Sequence, residues 1–219
     1  LILRCDGADL GAPVLPRTVV AAAIAAARWF VDMGGVQDGR GRMAALVARG
    51  LLPADALVPR ARPARLPAPG LHPQGALIGC EFGQMQAETL AALAALGDLR
   101  LTPWRMLLIT GLRTLPDLPD LILRAGDPRS RVSACTGAPG CLQGHRPVQA
   151  LARRLAAQLP AGRRLHVSGC AKGCAHPGPA DVTLCATAQG FDLIRNGRAQ
   201  DPPLRRGLDD AEIDLGDLI

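Results

Sequence analysis

The sequence predicts an α+β fold, and three observations carry that prediction. Short apolar runs bounded by glycine and proline alternate with alanine- and leucine-rich stretches of helical character. A strand–helix–strand pattern fills the middle of the chain and is followed by further strands. Hydrophobic residues make up 48% of the 219, enough to bury a core, while aromatics are 2% with no tyrosine, so leucine, valine and alanine must fill it.

Taken in order, residues 16–33 read as a helix, because Pro16 suits a first turn and the alanines that follow favour helix. A second short helix over about 41–49 stops at Gly50. "LPADALVPRARPARLPAPG" carries five prolines, a linker composition that sets a module boundary near 53–70. "GALIGCEF" (75–82) is a strand, "AETLAALAALG" (87–97) a helix closed by Gly97, "LRLTPWRMLLITGL" (99–112) a strand, and "DLILRAG" (120–126) another. Residues 63–125 therefore read as a ferredoxin-like half-domain. Beyond it, "SACTGAPGC" is a loop. "RPVQALARRLAAQLP" is a helix opened by Pro147, with Val148, Leu151, Leu155 and Leu159 along one stripe. "RRLHVS" is a strand leading into the glycine-rich "GCAKGCAHPG", and "ADVTLCAT" and "GFDLIRNG" form a hairpin joined through "AQG". Nothing is read from the polar tail after Asp201.

The formal net charge is +6, and all of the positive side chains but Lys172 are arginines. Arginine forks pair with carboxylates and phosphates. The arginines are scattered and no aromatic platform interleaves them, so no nucleic-acid partner is expected. No run of 18 apolar residues occurs, and "TVVAAAIAAARWFV" is interrupted by Arg28, so no membrane helix is expected either. The cytoplasm is the expected location. No G-x-G-x-x-G is present for direct NAD(P)H binding. The opening at Leu1, without methionine, is read as a processed or partial chain.

Seven cysteines argue against a fully paired disulfide framework. Cys5, Cys80 and Cys185 stand alone, and Cys185, in a strand, reads as core. The others form a C-x5-C pair, Cys135 and Cys141, and a C-x3-C pair, Cys170 and Cys174, with 28 residues between. A helix of about thirteen residues climbs roughly 20 Å. A strand of about six residues descends roughly 20 Å. The two pairs therefore meet. Structural zinc usually takes tighter knuckles, disulfides need an oxidising compartment, and four free thiols need no ligand. An iron–sulfur cluster needs four thiolates and backbone N–H donors, which loops with Gly137, Gly140, Gly169 and Gly173 supply. The spacing favours the cluster and leaves the other three open. Lys172 either offsets cluster charge, contacts an anionic ligand, or is a solvated loop-tip lysine, and His176 shares that ambiguity. His145 and His166 read as ordinary hydrogen-bonded residues.

"SACTGAPGC" followed by "HVSGCAKGC" resembles the C-terminal cluster domain of the nitrite and sulfite reductase superfamily. The resemblance implies an α/β cluster-binding domain of nitrite/sulfite reductase type over 126–219, with Cys135, Cys141, Cys170 and Cys174 holding a [4Fe–4S] cluster. In members that carry sirohaem, the position of Cys174 also bridges to the haem iron. "GRGRMAALVARG" is similar to the end of a preceding reductase-like module, so 1–62 reads as that end plus the proline-rich linker. "LRLTPWRMLLITGL", "SACTGAPGC" and "VSGCAKGCAHP" are most similar to the precorrin-3B synthase family. That implies an oxidoreductase of aerobic cobalamin biosynthesis, which carries out O2-dependent C20 hydroxylation and γ-lactone formation on precorrin-3A. The tetrapyrrole substrate bears many carboxylates, for which Arg105, Arg146 and Lys172 are the candidate partners; structural arginines are the competing reading. Electrons are expected from an external donor, a ferredoxin or an NAD(P)H-dependent reductase. Complete members are about twice this length with two pseudo-repeated halves, so the chain is expected to correspond to the C-terminal half, with catalytic residues unassigned. The rival expectations are a sirohaem-dependent nitrite or sulfite reductase and a non-catalytic iron–sulfur electron-transfer module.

Overall fold

The computed structural model describes residues 1–62, 66–118 and 120–217. It divides into two compact units, Leu1–Leu66 and Pro67–Ile219. The boundary expected at 62/63 abuts residues 63–65, which lie outside the described residues, as do 218 and 219 at the end of the expected last domain.

In the first unit, β1 (Ile2–Leu3) pairs antiparallel with β2 (Leu10–Pro13). α1 (Val19–Asp32) follows and begins three residues later than Pro16 suggested. β3 (Val36–Gln37) and β4 (Arg40–Gly41) form a tight hairpin, and α2 (Met43–Ala48) seats Leu46 in the interior. β5 (Val58–Pro59) adds to the free edge of β2. The proline-rich stretch is thus folded as far as Arg60, whose N–H reaches the Asp9 carbonyl at 2.7 Å. Proline is tolerated there because β5 is an edge strand, where one side of the backbone needs no ladder partner.

The second unit contains two sheets. The first comprises β6 (Gly70–His72), β7 (Gly75–Cys80), β8 (Leu99–Leu101), β9 (Met106–Thr110) and β10 (Leu121–Ile122), with α3 (Ala87–Ala94) between β7 and β8. All pairs are antiparallel in the order β10-β7-β9-β8, with β6 alongside β7. This is the strand order of a ferredoxin-like unit, with no second helix among the described residues between β9 and β10. Ala76, Ile78, Leu93, Leu107, Ile109 and Leu121 form its core. Gly75 is required where it is: its φ is +147°, and a side chain there would overlap the Ile109 carbonyl. Residues 99–112, expected as one strand, are instead the hairpin β8–β9. Pro103 withdraws a donor, the Thr102 hydroxyl donates to the Met106 carbonyl at 2.8 Å, and Arg105 turns through φ 58°.

The second sheet comprises β11 (Val132–Ala134), β12 (Leu165–Ser168), β13 (Ala180–Thr187), β14 (Gly190–Gly197) and β15 (Arg205–Leu208), in that spatial order. β11, β12 and β13 are parallel, and the rest antiparallel. α4 (Gln149–Ala156) lies between β11 and β12 in the chain, and the expected stripe, Leu151 and Leu155 within it and Val148 and Leu159 just beyond its ends, shares one core with Val167, Leu184 and Phe191. The tail, from which the sequence suggested nothing, completes this core with β15 and with Ile213 and Leu215, both almost wholly buried. The Arg154 guanidinium anchors it by donating to the carbonyls of Ile213, at 2.8 Å, and Asp210. The two sheets are joined through Glu81, buried after β7, which pairs with Arg153 on α4 and, at 3.9 Å, with Arg129. Among the described residues, no helix is long and apolar enough to cross a membrane.

Candidate metal and ligand site

Because β11 and β12 are adjacent and parallel, their carboxyl ends open side by side, the usual position of ligand sites in such sheets. Cys135 follows β11 directly, and Gly169 and Cys170 follow β12. The two loops interlock through glycines. The Gly169 N–H donates to Cys135 Sγ at 3.1 Å, and the His145 N–H donates to the Gly169 carbonyl at 2.8 Å. A Cβ on Gly169 would stand 3.1 Å from Gly137 Cα and 3.3 Å from Cys135 Sγ, and one on Gly144 2.7 Å from the Ala138 nitrogen. Cys141 is held by its N–H to the Gly137 carbonyl at 2.8 Å, and the Cys170 carbonyl accepts from the Ser168 hydroxyl at 2.7 Å. Beneath them, in register with Ser168, Cys185 has its thiol pushed up to about 11 by burial, then by the charges of Cys170, Asp192 and Cys135.

Cys135, Cys141 and Cys170 are half-buried, Cys174 is exposed, and all seven cysteines are free. Among the described residues, no three His, Cys, Asp or Glu side chains stand in an arrangement that holds a metal ion. The fold therefore brings the two cysteine loops together without closing their sulfurs around one point. In kind, the donor set fits an iron–sulfur group: thiols on glycine loops, with a backbone N–H already directed at one sulfur.

The other expected residues divide. Arg105, exposed in the β8–β9 hairpin, donates through Nη2 to the Ala175 carbonyl at 2.8 Å and so reaches the second cysteine loop from the first sheet. Arg146 gives Nε and Nη2 to the carbonyls of Thr187 and Ala188, both at 3.1 Å, and its own carbonyl accepts from the Ala138 N–H at 3.0 Å. It clamps the first cysteine loop to the β13–β14 turn, the structural alternative the sequence left open. Lys172 is exposed and makes no hydrogen bond or ion pair with the described residues. His166 departs from expectation: it is fully buried and neither ring nitrogen has a hydrogen-bond partner among the described residues. His176 stands edge-on to it with ring centroids 5.7 Å apart. Burial, then the charges of His176 and Arg105, lower the His166 pKa to about 4, so this imidazole is neutral. A buried imidazole without a protein partner calls for water or a bound group.

A polar brace went unread in the sequence. Gln149 Nε2, at the start of α4, donates to Gln84 Oε1 at 3.0 Å and to the Cys135 carbonyl at 3.4 Å, and Gln84 Nε2 donates to the Thr136 hydroxyl at 3.5 Å. These residues are far apart in the chain, and no local pattern pairs them.

No family model matches the chain. It is 30% identical over 186 residues to a precorrin-3B synthase from Sinorhizobium sp., in an alignment covering 73% of this chain and 40% of that protein. The chain thus spans well under two thirds of the curated relative it matches. The similarity bears out the resemblance carried by the cysteine motifs. Among solved structures it is similar to the NirA protein of Mycobacterium tuberculosis at 20% identity, covering 83% of this chain and 44% of that one with a TM-score of 0.49.

Proposed function

We propose that the chain is the cluster-bearing part of an oxidoreductase of cobalamin biosynthesis that oxygenates precorrin-3A at C20, with γ-lactone formation, to give precorrin-3B. The observation that carries this reading is the interlocking of the Cys135–Cys141 and Cys170–Cys174 loops at the carboxyl ends of β11 and β12, in a chain similar to a precorrin-3B synthase. In this reading the four cysteines hold a [4Fe–4S] cluster, which when bound supplies one-electron transfer between an external donor and the oxygen chemistry. The chain's own residues do the rest. The Gly169 N–H stabilises negative charge on Cys135 Sγ. Arg146 and Gln149 hold the first loop in place. Arg105, reaching the second loop from the first sheet, and Lys172, within that loop, supply positive charge for substrate carboxylates. The electron donor is a ferredoxin or an NAD(P)H-dependent reductase, and the reducing cytoplasm keeps the thiols free.

The test is precorrin-3A offered to anaerobically reconstituted protein with a reductant, followed by oxygen, while absorbance and products are monitored. Saturable binding of the tetrapyrrole, weakened at least tenfold by Arg105→Gln, supports the reading. Sirohaem bands in the purified protein replace it with a nitrite or sulfite reductase. A reducible cluster that binds no tetrapyrrole replaces it with an electron-transfer module.

A further inference from the structure

The stretch "GGVQDGRGRMAALVARG" (34–50) belongs to the first unit, and the paired cysteines to the second. It lines an open cleft of about 830 Å³, within the size range of small-molecule sites. One wall is the β3–β4 hairpin. Its two central residues, Asp38 and Gly39, have φ of 51° and 72°, the tight turn that an Asp-Gly pair makes best. Around the hairpin the wall is nearly bare backbone, and it must be: a side chain on Gly35 or Gly41 would run into the Phe30 ring. The wall is therefore packed in place.

Three arginines line this cleft and no acidic side chain does. Arg40 lies in β4, and Arg42, two residues on, is still extended with φ −135° and ψ 126°. Alternation along an extended chain puts both on one side, with α-carbons about 7 Å apart. Arg49, at the end of α2, closes the opposite side and is steadied by Nη1 on the Gly34 carbonyl at 3.4 Å. Asp38 is the one carboxylate in residues 33–50 and sits at the exposed turn, outside the lining. Arg40 and Arg42 line the cleft and make no ion pair with the described residues, so no protein carboxylate neutralises them there. Arg129, Arg146 and Arg163 are held by carboxylates or backbone carbonyls and Arg49 by the Gly34 carbonyl, whereas Arg40 and Arg42 keep their guanidinium donors free of partners among the described residues.

We propose that this glycine-walled cleft binds a small oxyanion carrying two or three carboxylates or phosphates, held by Arg40, Arg42 and Arg49. Forked guanidiniums bind either group in a bidentate manner, and three on one small cavity select multivalent over monovalent anions.

The experiment titrates the full chain with citrate, with pyrophosphate and with acetate, read by calorimetry and by amide NMR shifts. The expected result is saturable one-site binding of citrate or pyrophosphate, with acetate at least tenfold weaker. Shifts should concentrate on Gly35, Gly39, Gly41 and the three arginines. Whichever of citrate and pyrophosphate binds more tightly assigns the site to carboxylates or to phosphates. Arg40→Gln combined with Arg42→Gln should weaken binding at least tenfold, whereas Arg17→Gln, exposed outside the lining, should not. No saturable binding, equal binding of acetate, or shifts that fall elsewhere would each overturn the proposal. The shift map of the unmodified chain decides it even where the double variant does not fold.

Discussion

His166 and Cys185 show how burial sets chemistry at single positions. In the unfolded chain an imidazole titrates near 6.5, and in the fold His166 titrates near 4. The unfolded state therefore holds the extra proton between those values. Stability is intact above pH 6.5 and is lost as pH falls toward 4, by up to about 3 kcal/mol from this residue. Urea unfolding of the metal-free protein at pH 7 and pH 4.5 should show that loss, and His166→Leu should shrink it by about 2 kcal/mol. Equal losses in the two proteins would contradict the assignment. Cys185, buried and titrating near 11, should resist iodoacetamide at pH 8, while exposed Cys174 is alkylated first. Mass spectrometry of the folded protein gives the order. The four paired cysteines were legible because their spacing is local information, and Cys185 as core because its strand is apolar. The isolation of His166 was not legible, since the strands on either side and the loop at Gly173 bury it.

At the level of elements, the crossover from β11 through α4 to β12 does the positioning. The stripe on α4 was readable from its period of 3.6. The split of 99–112 into β8 and β9 was not, because apolar residues flank Pro103 on both sides and the competing signal is one Thr102 side chain bonding its own turn. Nor was the docking of the tail, where Ile213 and Leu215 enter the core on either side of an exposed aspartate. Two substitutions probe these contacts. Arg153→Met leaves buried Glu81 with Arg129 alone and should cost about 1–3 kcal/mol in urea unfolding. Gly169→Ala places a methyl against Gly137 Cα and Cys135 Sγ. It should separate the loops and sharply lower iron retention, while the far-ultraviolet circular dichroism stays unchanged.

Across the whole molecule, the chain carries one unit with an arginine cleft and one with paired cysteine loops on an α+β scaffold. Fold class was readable from the alternation of patterns, because each element announces its own period. The four-cysteine site was readable as residue types and spacing. The fold brings the two cysteine loops together, but among the described residues their side chains do not stand in a metal-holding arrangement. The account rests on those four cysteines acting as one ligand set. The decisive measurement is iron and acid-labile sulfide per chain after anaerobic reconstitution, in the unmodified protein and in seven single Cys→Ser variants. The account predicts about four of each. The content should be lost or reduced to about three irons in the Cys135, Cys141, Cys170 and Cys174 variants and kept in the Cys5, Cys80 and Cys185 variants. Zinc in place of iron, or iron that survives Cys174→Ser unchanged, would contradict it.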